Sequence, residues 1–319
     1  MRPRRKYRLR RLIPIVLLVL AAVVAGAWAG ARRPSATVDA SASGPLVVAP
    51  PAVHTERAVP LAPEHLLSDA KPAPHVFSPP LSTPAAIVVD AGSGRVLWRL
   101  RPHERRKVAS LTKIMTALLA LRKLEPNDVV TVDKSVPRVP LVREGLRAGE
   151  RVKAWKLFYS LLLYSGNDDA LALAIAAGGD KWTFVREMND EARRLGLHDT
   201  HFISPSGVVD RDNYSSAWDM AALTRVALRN ERFVRLVRTK IIHVPWSAPT
   251  YSKVYVNNNL MLRSYRGANG VKTGYTHKSG PCLVVSATRH GRTLIAVLLD
   301  DPNMYADATR LLNFGFASV

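Results

Sequence analysis

Three short strings in the chain carry residue types that acyl transfer requires: Ser110-Leu111-Thr112-Lys113, Ser165-Gly166-Asn167 and Lys272-Thr273-Gly274. Such a reaction needs a nucleophile, a base to activate it, a proton donor for the leaving group and a clamp for the substrate. Ser110 and Lys113 are three apart, a spacing that puts both on one face of a helix with Cβ atoms about 5–6 Å apart. A serine is unreactive at neutral pH without a base, and a lysine serves when burial or a nearby cation lowers its proton affinity. At a helix start, Ser110 also lies where developing negative charge is favoured. Ser165 and Asn167 straddle a glycine at a break between helical stretches. There the serine can relay a proton to a leaving nitrogen, and the amide can hold both a substrate and Lys113. Lys272 brings positive charge, Thr273 a hydroxyl, and Gly274 room for a substrate backbone to approach a strand edge.

Each string has a plain structural reading when taken alone. Ser110 then caps a helix and Lys113 is solvated. Ser165-Gly166-Asn167 becomes a polar turn, and Lys272-Thr273-Gly274 a strand ending in a turn glycine. Their joint occurrence in this order argues for a site.

The elements that must position these strings follow from patterning. Ala85-Ala86-Ile87-Val88-Val89 and Arg95 to Leu100, joined by Asp90-Ala91-Gly92-Ser93-Gly94, predict a β-hairpin. Helical spacing predicts helices over about 110–124, 154–164, 168–177, 181–195 and 216–229. Strands are expected over 271–275, 281–289 and 293–300, with His290-Gly291 as a turn, and a closing helix over about 304–314. Strands at both ends with helices between them give an α+β fold: an antiparallel sheet flanked by helices, with a helical lobe across a cleft.

The chain has 319 residues, 47% of them apolar, enough to bury a substantial core. Its net charge is +21. Seven positive charges fall in the first eleven residues (Arg2, Arg4, Arg5, Lys6, Arg8, Arg10, Arg11), leaving about +14 on the rest. Such a surface suits an anionic membrane, an acidic wall or nucleic acid. No basic stripe interleaved with aromatics favours nucleic acid. The one cysteine, Cys282, lies in an apolar strand pattern and reads as a core residue. No His/Cys cluster has metal-ligand spacing, and no metal or cofactor is expected.

The uncharged run from Leu12 to Ala31 follows the basic block and is just long enough to cross a bilayer. Residues 1–31 therefore read as a transmembrane anchor or a signal peptide. Length tips the balance towards an anchor, while Ala27-Trp28-Ala29 and Ala29-Gly30-Ala31 offer cleavage sites. Positive charge before the run keeps that end in the cytoplasm and exports the remainder to the outer membrane face or the wall. Residues 32–80, rich in Pro, Ala, Ser and Val, read as a linker, and residues 81–319 as the catalytic domain.

The three strings and their surroundings resemble the serine D-Ala-D-Ala carboxypeptidases, the low-molecular-mass penicillin-binding proteins. Similar context lies in Asp90-Ala91-Gly92-Ser93-Gly94-Arg95-Val96-Leu97, Ala109 to Thr116, Ser165 to Ala170 and Asn269 to Thr276. The resemblance covers about Pro84 to Phe316. It implies a β-lactamase/transpeptidase-like fold, peptidoglycan stem peptides as substrate and β-lactams as inhibitors. It assigns Ser110 as the acylated nucleophile, Lys113 as its base and Ser165 as the proton relay. Asn167, Lys272, Thr273 and Gly274 would bind substrate, and the backbone N–H groups of Ser110 and Tyr275 would form the oxyanion hole. Relatives often carry an arginine near the start of the last helix, where this chain has Met304. The β-rich domain that often follows in relatives would be absent, so an anchor would be N-terminal. A D,D-endopeptidase using the same residues and a non-catalytic wall-binding scaffold are the alternatives. A class A β-lactamase would need a glutamate placed to activate water, and none stands out near the strings.

Overall fold

A computed structural model describes residues 66–68, 79–208, 212–246 and 252–319. The basic block, the apolar run at 12–31 and most of the range read as linker lie outside the described residues. Among the described residues, no helix is long and apolar enough to cross a membrane.

In chain order the elements are β1 (Ala85–Asp90), β2 (Val96–Leu100), α1 (Lys113–Lys123), β3 (Val129–Thr131), β4 (Arg151–Lys153), α2 (Ala154–Tyr159), α3 (Asn167–Gly178), α4 (Lys181–Arg194), α5 (Ala217–Ala227), α6 (Glu231–Arg238), β5 (Ile241–Val244), β6 (Lys253–Val256), α7 (Met261–Ser264), β7 (Ala268–Thr276), β8 (Gly280–Arg289), β9 (Arg292–Leu299) and α8 (Met304–Ala317). Five strands form one antiparallel sheet in the order β2-β1-β9-β8-β7. The two ends of the domain thus meet in one sheet, as the patterning predicts.

The central strands are apolar at consecutive positions because the sheet is covered on both sides. Strand side chains alternate between faces. Ile87, Val89, Val284, Ile295 and Val297 face the core shared with α1, α3 and α5. Val88, Leu283, Val285, Leu294 and Ala296 face the smaller core under α8, against Ala308, Leu311 and Leu312. Met304 opens α8 and packs against this second core. Cys282 is fully buried in the first core, and the surrounding apolar groups push its thiol up to about 12, which suits an inert packing residue. Among the described residues, no His/Cys/Asp/Glu group has the arrangement of a metal site.

Three readings change. The helix expected from Ser110 begins as a 3-10 turn, Ala109–Thr112, and becomes α-helical only at Lys113. Residues 66–68, inside the range read as linker, pack on the domain: Leu66 and Leu67 are buried, and Ser68 bridges Arg95. The pairs β3–β4 and β5–β6 and the helix α6 are additions. The α6 pattern, with Phe233, Leu236 and Val237 buried and Asn230 accepting from the Phe233 N–H at 3.1 Å, is local and legible. The β5–β6 pairing is not local in this sense, because it matches Ile241–Val244 to Lys253–Val256 across an intervening stretch of chain.

Candidate active site

The turn carrying Ser110 owes its shape to Ala109, whose φ of 45° is left-handed backbone that non-glycine residues rarely adopt. This bend sets Ser110 at the mouth of α1, nearly buried. Lys113, the first residue of α1, is fully buried. Its Nζ stands 2.9 Å from Ser110 Oγ, donates to Asn167 Oδ1 at 2.8 Å and donates to the Ser206 carbonyl at 3.0 Å. One amine therefore ties together the first two strings and a loop that patterning had not singled out. That loop is pinned from α1 by Thr116 Oγ1, which donates to the Pro205 carbonyl at 2.6 Å. Asn213 adds a bond to Thr112 Oγ1 at 2.9 Å. The available signal was the turn composition of Ser204-Pro205-Ser206-Gly207.

The second string sits where α2 ends in a π turn, Ser160–Tyr164, and α3 begins. Ser165 closes the π turn with a left-handed φ of 77°, and its N–H donates to the Ser160 carbonyl at 2.8 Å. Asn167 donates through its side chain to the Pro140 carbonyl at 3.0 Å and through its backbone to the Val142 carbonyl at 2.8 Å. Asp168, next on α3, accepts from the N–H groups of Glu144, Gly145 and Leu146 at 2.7, 2.8 and 3.1 Å. Burial raises its carboxyl above the usual range, and these donors oppose the shift. Leu141, exposed and with φ 64°, and Val142 thus form a rim held beside Asn167.

The third string lies on β7, the edge of the sheet opposite β2. Lys272 and Gly274 share the buried face, whereas Thr273 and Tyr275 alternate to the other, half-buried and exposed respectively. Gly274 fits directly against the turn that carries Ser110. A Cβ there would lie 2.9 Å from the Val108 carbonyl oxygen and 3.1 Å from the Ser110 nitrogen. Gly274→Ala is therefore expected to shift the turn. A displacement approaching 1 Å costs about 10²-fold in rate, readable as slowed penicillin acylation in a protein with unchanged circular dichroism. Wild-type acylation in this variant would mean that the contact does not set the geometry.

Lys272 is 1% exposed, and its ammonium donates to the Thr273 carbonyl at 3.0 Å. Among the described residues, no carboxylate pairs with it. Desolvation lowers its proton affinity to about 7. The Tyr275 hydroxyl turns outward to His277 Nδ1 at 3.5 Å, so only its backbone is available to the turn.

Patterning missed one polar cluster behind the second string. Glu144, buried, receives Lys253 at Oε1, and Ser160 Oγ stands 2.9 Å from its Oε2. The same Ser160 Oγ is 2.6 Å from Asp169 Oδ2. Four side chains from four segments meet here, which no sequence spacing reveals.

Comparison with known proteins bears on this arrangement. The family model described as D-alanyl-D-alanine carboxypeptidase (peptidase S11) matches residues 73–303. The D-alanyl-D-alanine carboxypeptidase of Streptomyces sp. strain K15 is 34% identical over 271 residues, covering 78% of this chain and 92% of that one. The D-alanyl-D-alanine endopeptidase of Escherichia coli is 29% identical over 260 residues, 80% of this chain and 83% of that one. The crystal structure of the Streptomyces K15 DD-transpeptidase superposes with a TM-score of 0.71 at 33% identity, covering 76% of this chain and all of that one. The transpeptidase-like α+β fold, the matched family model and the K15 likeness over most of both chains agree, and the chain belongs to the serine-type D-alanyl-D-alanine carboxypeptidase family.

Proposed function

We propose that the protein removes the terminal D-alanine of peptidoglycan stem peptides through an acyl-enzyme on Ser110. The observation that carries this reading is the 2.9 Å separation between Lys113 Nζ and Ser110 Oγ, hydrogen-bond reach for a base and its nucleophile. Ser110 Oγ gives its proton to neutral Lys113 and bonds to the penultimate D-alanine carbonyl carbon. The backbone N–H groups of Ser110 and Tyr275 stabilise the oxyanion, each donor worth about 3–4 kcal/mol. The C–N bond to the terminal D-alanine breaks, and Ser165 relays the proton from Lys113 to the departing amine. Water then hydrolyses the ester. Lys272 and Thr273 hold the substrate carboxylate, and Asn167 orients the peptide amide.

Penicillins acylate Ser110 in this scheme because they resemble the D-Ala-D-Ala end. Glu144, the acid on the loop beside Asn167, is committed to Lys253 and Ser160, which separates this reading from a β-lactamase whose glutamate activates water. The run at 12–31 would deliver the domain across the membrane, as an anchor or as a cleaved leader, to act on the wall from outside.

The second reading is a D,D-endopeptidase. It draws on the E. coli relative of that name and on Met304, which leaves carboxylate recognition to Lys272 and Thr273. Product analysis decides between them. A pentapeptide is expected to release D-alanine faster than a crosslinked dimer is cut. Dimer cleavage with the pentapeptide left intact would establish the endopeptidase, and absence of both products and of penicillin label would establish a scaffold. Mass spectrometry of the penicillin adduct locates the acylated residue and reads the mature N-terminus.

A further inference from the structure

The cluster behind the second string poses a problem of proton counting. A serine hydroxyl has one hydrogen to donate. Ser160 Oγ lies within hydrogen-bond distance of two carboxyl groups, Asp169 Oδ2 at 2.6 Å and Glu144 Oε2 at 2.9 Å. Both contacts are favourable only if one carboxyl group itself brings a proton. Glu144 is the ionised partner, because Lys253 binds its other oxygen. Asp169 has the opposite surroundings. It is fully buried, and its Oδ1 has no hydrogen-bond partner among the described residues. A bare, buried carboxylate oxygen is costly, whereas the carbonyl oxygen of a neutral acid is far less so.

We propose that Asp169 is a positioning residue for the Ser110 site and acts as a neutral carboxylic acid: its O–H donates to Ser160, and Ser160 donates to Glu144, in one chain that braces the Ser165-Gly166-Asn167 turn against Lys113. The inference rests on the reading of Ser110 as the acylated residue. The brace is close-fitting, since a Cβ on Gly166 would fall 1.8 Å from Asp169 Oδ2 and 3.0 Å from Ser160 Oγ. Moving Asp169 therefore moves the residue between Ser165 and Asn167. The charged and titratable groups around Asp169 are Asp168 on its own helix, Lys113 on α1, Glu144 on the facing loop, and Lys253 and Tyr255 on β6.

Burial and the neighbouring Asp168 push the Asp169 carboxyl well above the usual range, against the opposing pull of Lys113. An ionised Asp169 would place a second anion on Ser160. It would also hold the proton on Lys113, where the reaction needs the free amine. Keeping Asp169 neutral removes both effects. Losing its proton to solvent at high pH would restore them.

The experiment compares Asp169→Asn with Asp169→Ala in the purified protein, reading penicillin acylation rates from about pH 6 to pH 8. An amide donates to Ser160 as a neutral acid does, so Asp169→Asn is expected to stay within about threefold of wild type. Asp169→Ala, which loosens the turn, is expected to be slower by about tenfold or more. Ser160→Ala breaks the same chain and replaces Asp169→Ala if that variant does not fold. Infrared difference spectra of wild type minus Asp169→Asn at neutral pH are expected to show a protonated carboxyl C=O band. This band is independent of which peptide the enzyme cuts, so its absence refutes the neutral acid without touching the proposed function. An Asp169→Asn variant that fails to fold or loses acylation as Asp169→Ala does would also overturn the proposal, as would wild-type acylation in Asp169→Ala or its Ser160→Ala substitute.

Discussion

Ser110→Ala is expected to abolish covalent labelling by a fluorescent penicillin while leaving the protein folded. The hydroxyl is the only part of the side chain removed. Loss of a nucleophile in hydrolases of this mechanistic type costs about 10⁴-fold or more. The structural cost is small by comparison. Ser110 Oγ gives up one hydrogen bond to Lys113, a change of about 1 kcal/mol, and the turn is shaped by the Ala109 backbone and the Gly274 contact, which remain. Lys113 retains its bonds to Asn167 and Ser206. The measurement pairs gel fluorescence with a thermal melt. Retained label in a folded Ser110→Ala protein would overturn the nucleophile assignment, and with it the proposed mechanism.

Lys272→Met is expected to make the protein more stable and much less active. A buried ammonium bonded to a single carbonyl carries a desolvation cost that a thioether of similar length does not. Its pH dependence has a definite sign. The group holds its proton to about 7 in the folded protein and to 10.5 when unfolded. Between those values the unfolded chain binds the extra proton, so this residue makes stability rise with pH by up to about 1.4 kcal/mol per unit. Below about 7 both states are protonated and the penalty is present in full. Above about 10.5 both are neutral and it vanishes. The stability gain of Lys272→Met over wild type is therefore largest at about pH 6 and shrinks towards about pH 9 to 10, as urea denaturation at each pH would measure. Other titrating groups cancel in the difference. Activity changes the other way. In the proposed mechanism the Lys272 charge faces a substrate carboxylate, and removing it is expected to cost about 2–5 kcal/mol of binding, seen as a fall in kcat/KM. A Lys272→Met variant with wild-type kcat/KM would remove this residue from the substrate clamp. A stability gain that does not vary with pH would mean that Lys272 stays protonated in the folded protein.

The conflict at Lys272 has a general cause. Burial lowers the dielectric around the charge and strengthens its attraction for an anionic substrate, and the same burial destabilises the empty site. Ala109 shows a similar tension in the backbone. Its left-handed conformation costs about 1–3 kcal/mol, and in return Ser110 is set at the start of α1, facing Lys113 and Gly274.

Much of this was readable from local pattern. The runs at Ala85–Val89, Pro281–Arg289 and Thr293–Asp300 were readable as strands because they are short, bounded by turn residues and apolar at consecutive central positions, a pattern that suits a sheet covered on both faces. The break at Ser165-Gly166-Asn167 was legible because glycine and asparagine end helices. The Ser110–Lys113 pair was legible because three-residue spacing makes neighbours on any helical turn, 3-10 or α. The helix α6 is equally local, its signal carried by the Asn230 cap and the spacing of Phe233, Leu236 and Val237.

The amino-acid order by itself determined the residue types of the site, their local turns and strands, and the α+β alternation, because these depend on neighbours within a few positions. Only the tertiary structure decided which other groups meet: Ser206 on Lys113, Gly274 against the Ser110 nitrogen, Ser68 beside Arg95, and Asp169, Ser160, Glu144 and Lys253 in one chain of contacts. Those contacts join residues from nine to more than a hundred positions apart. Their distances follow from how helices and sheet pack, and no spacing along the chain encodes them.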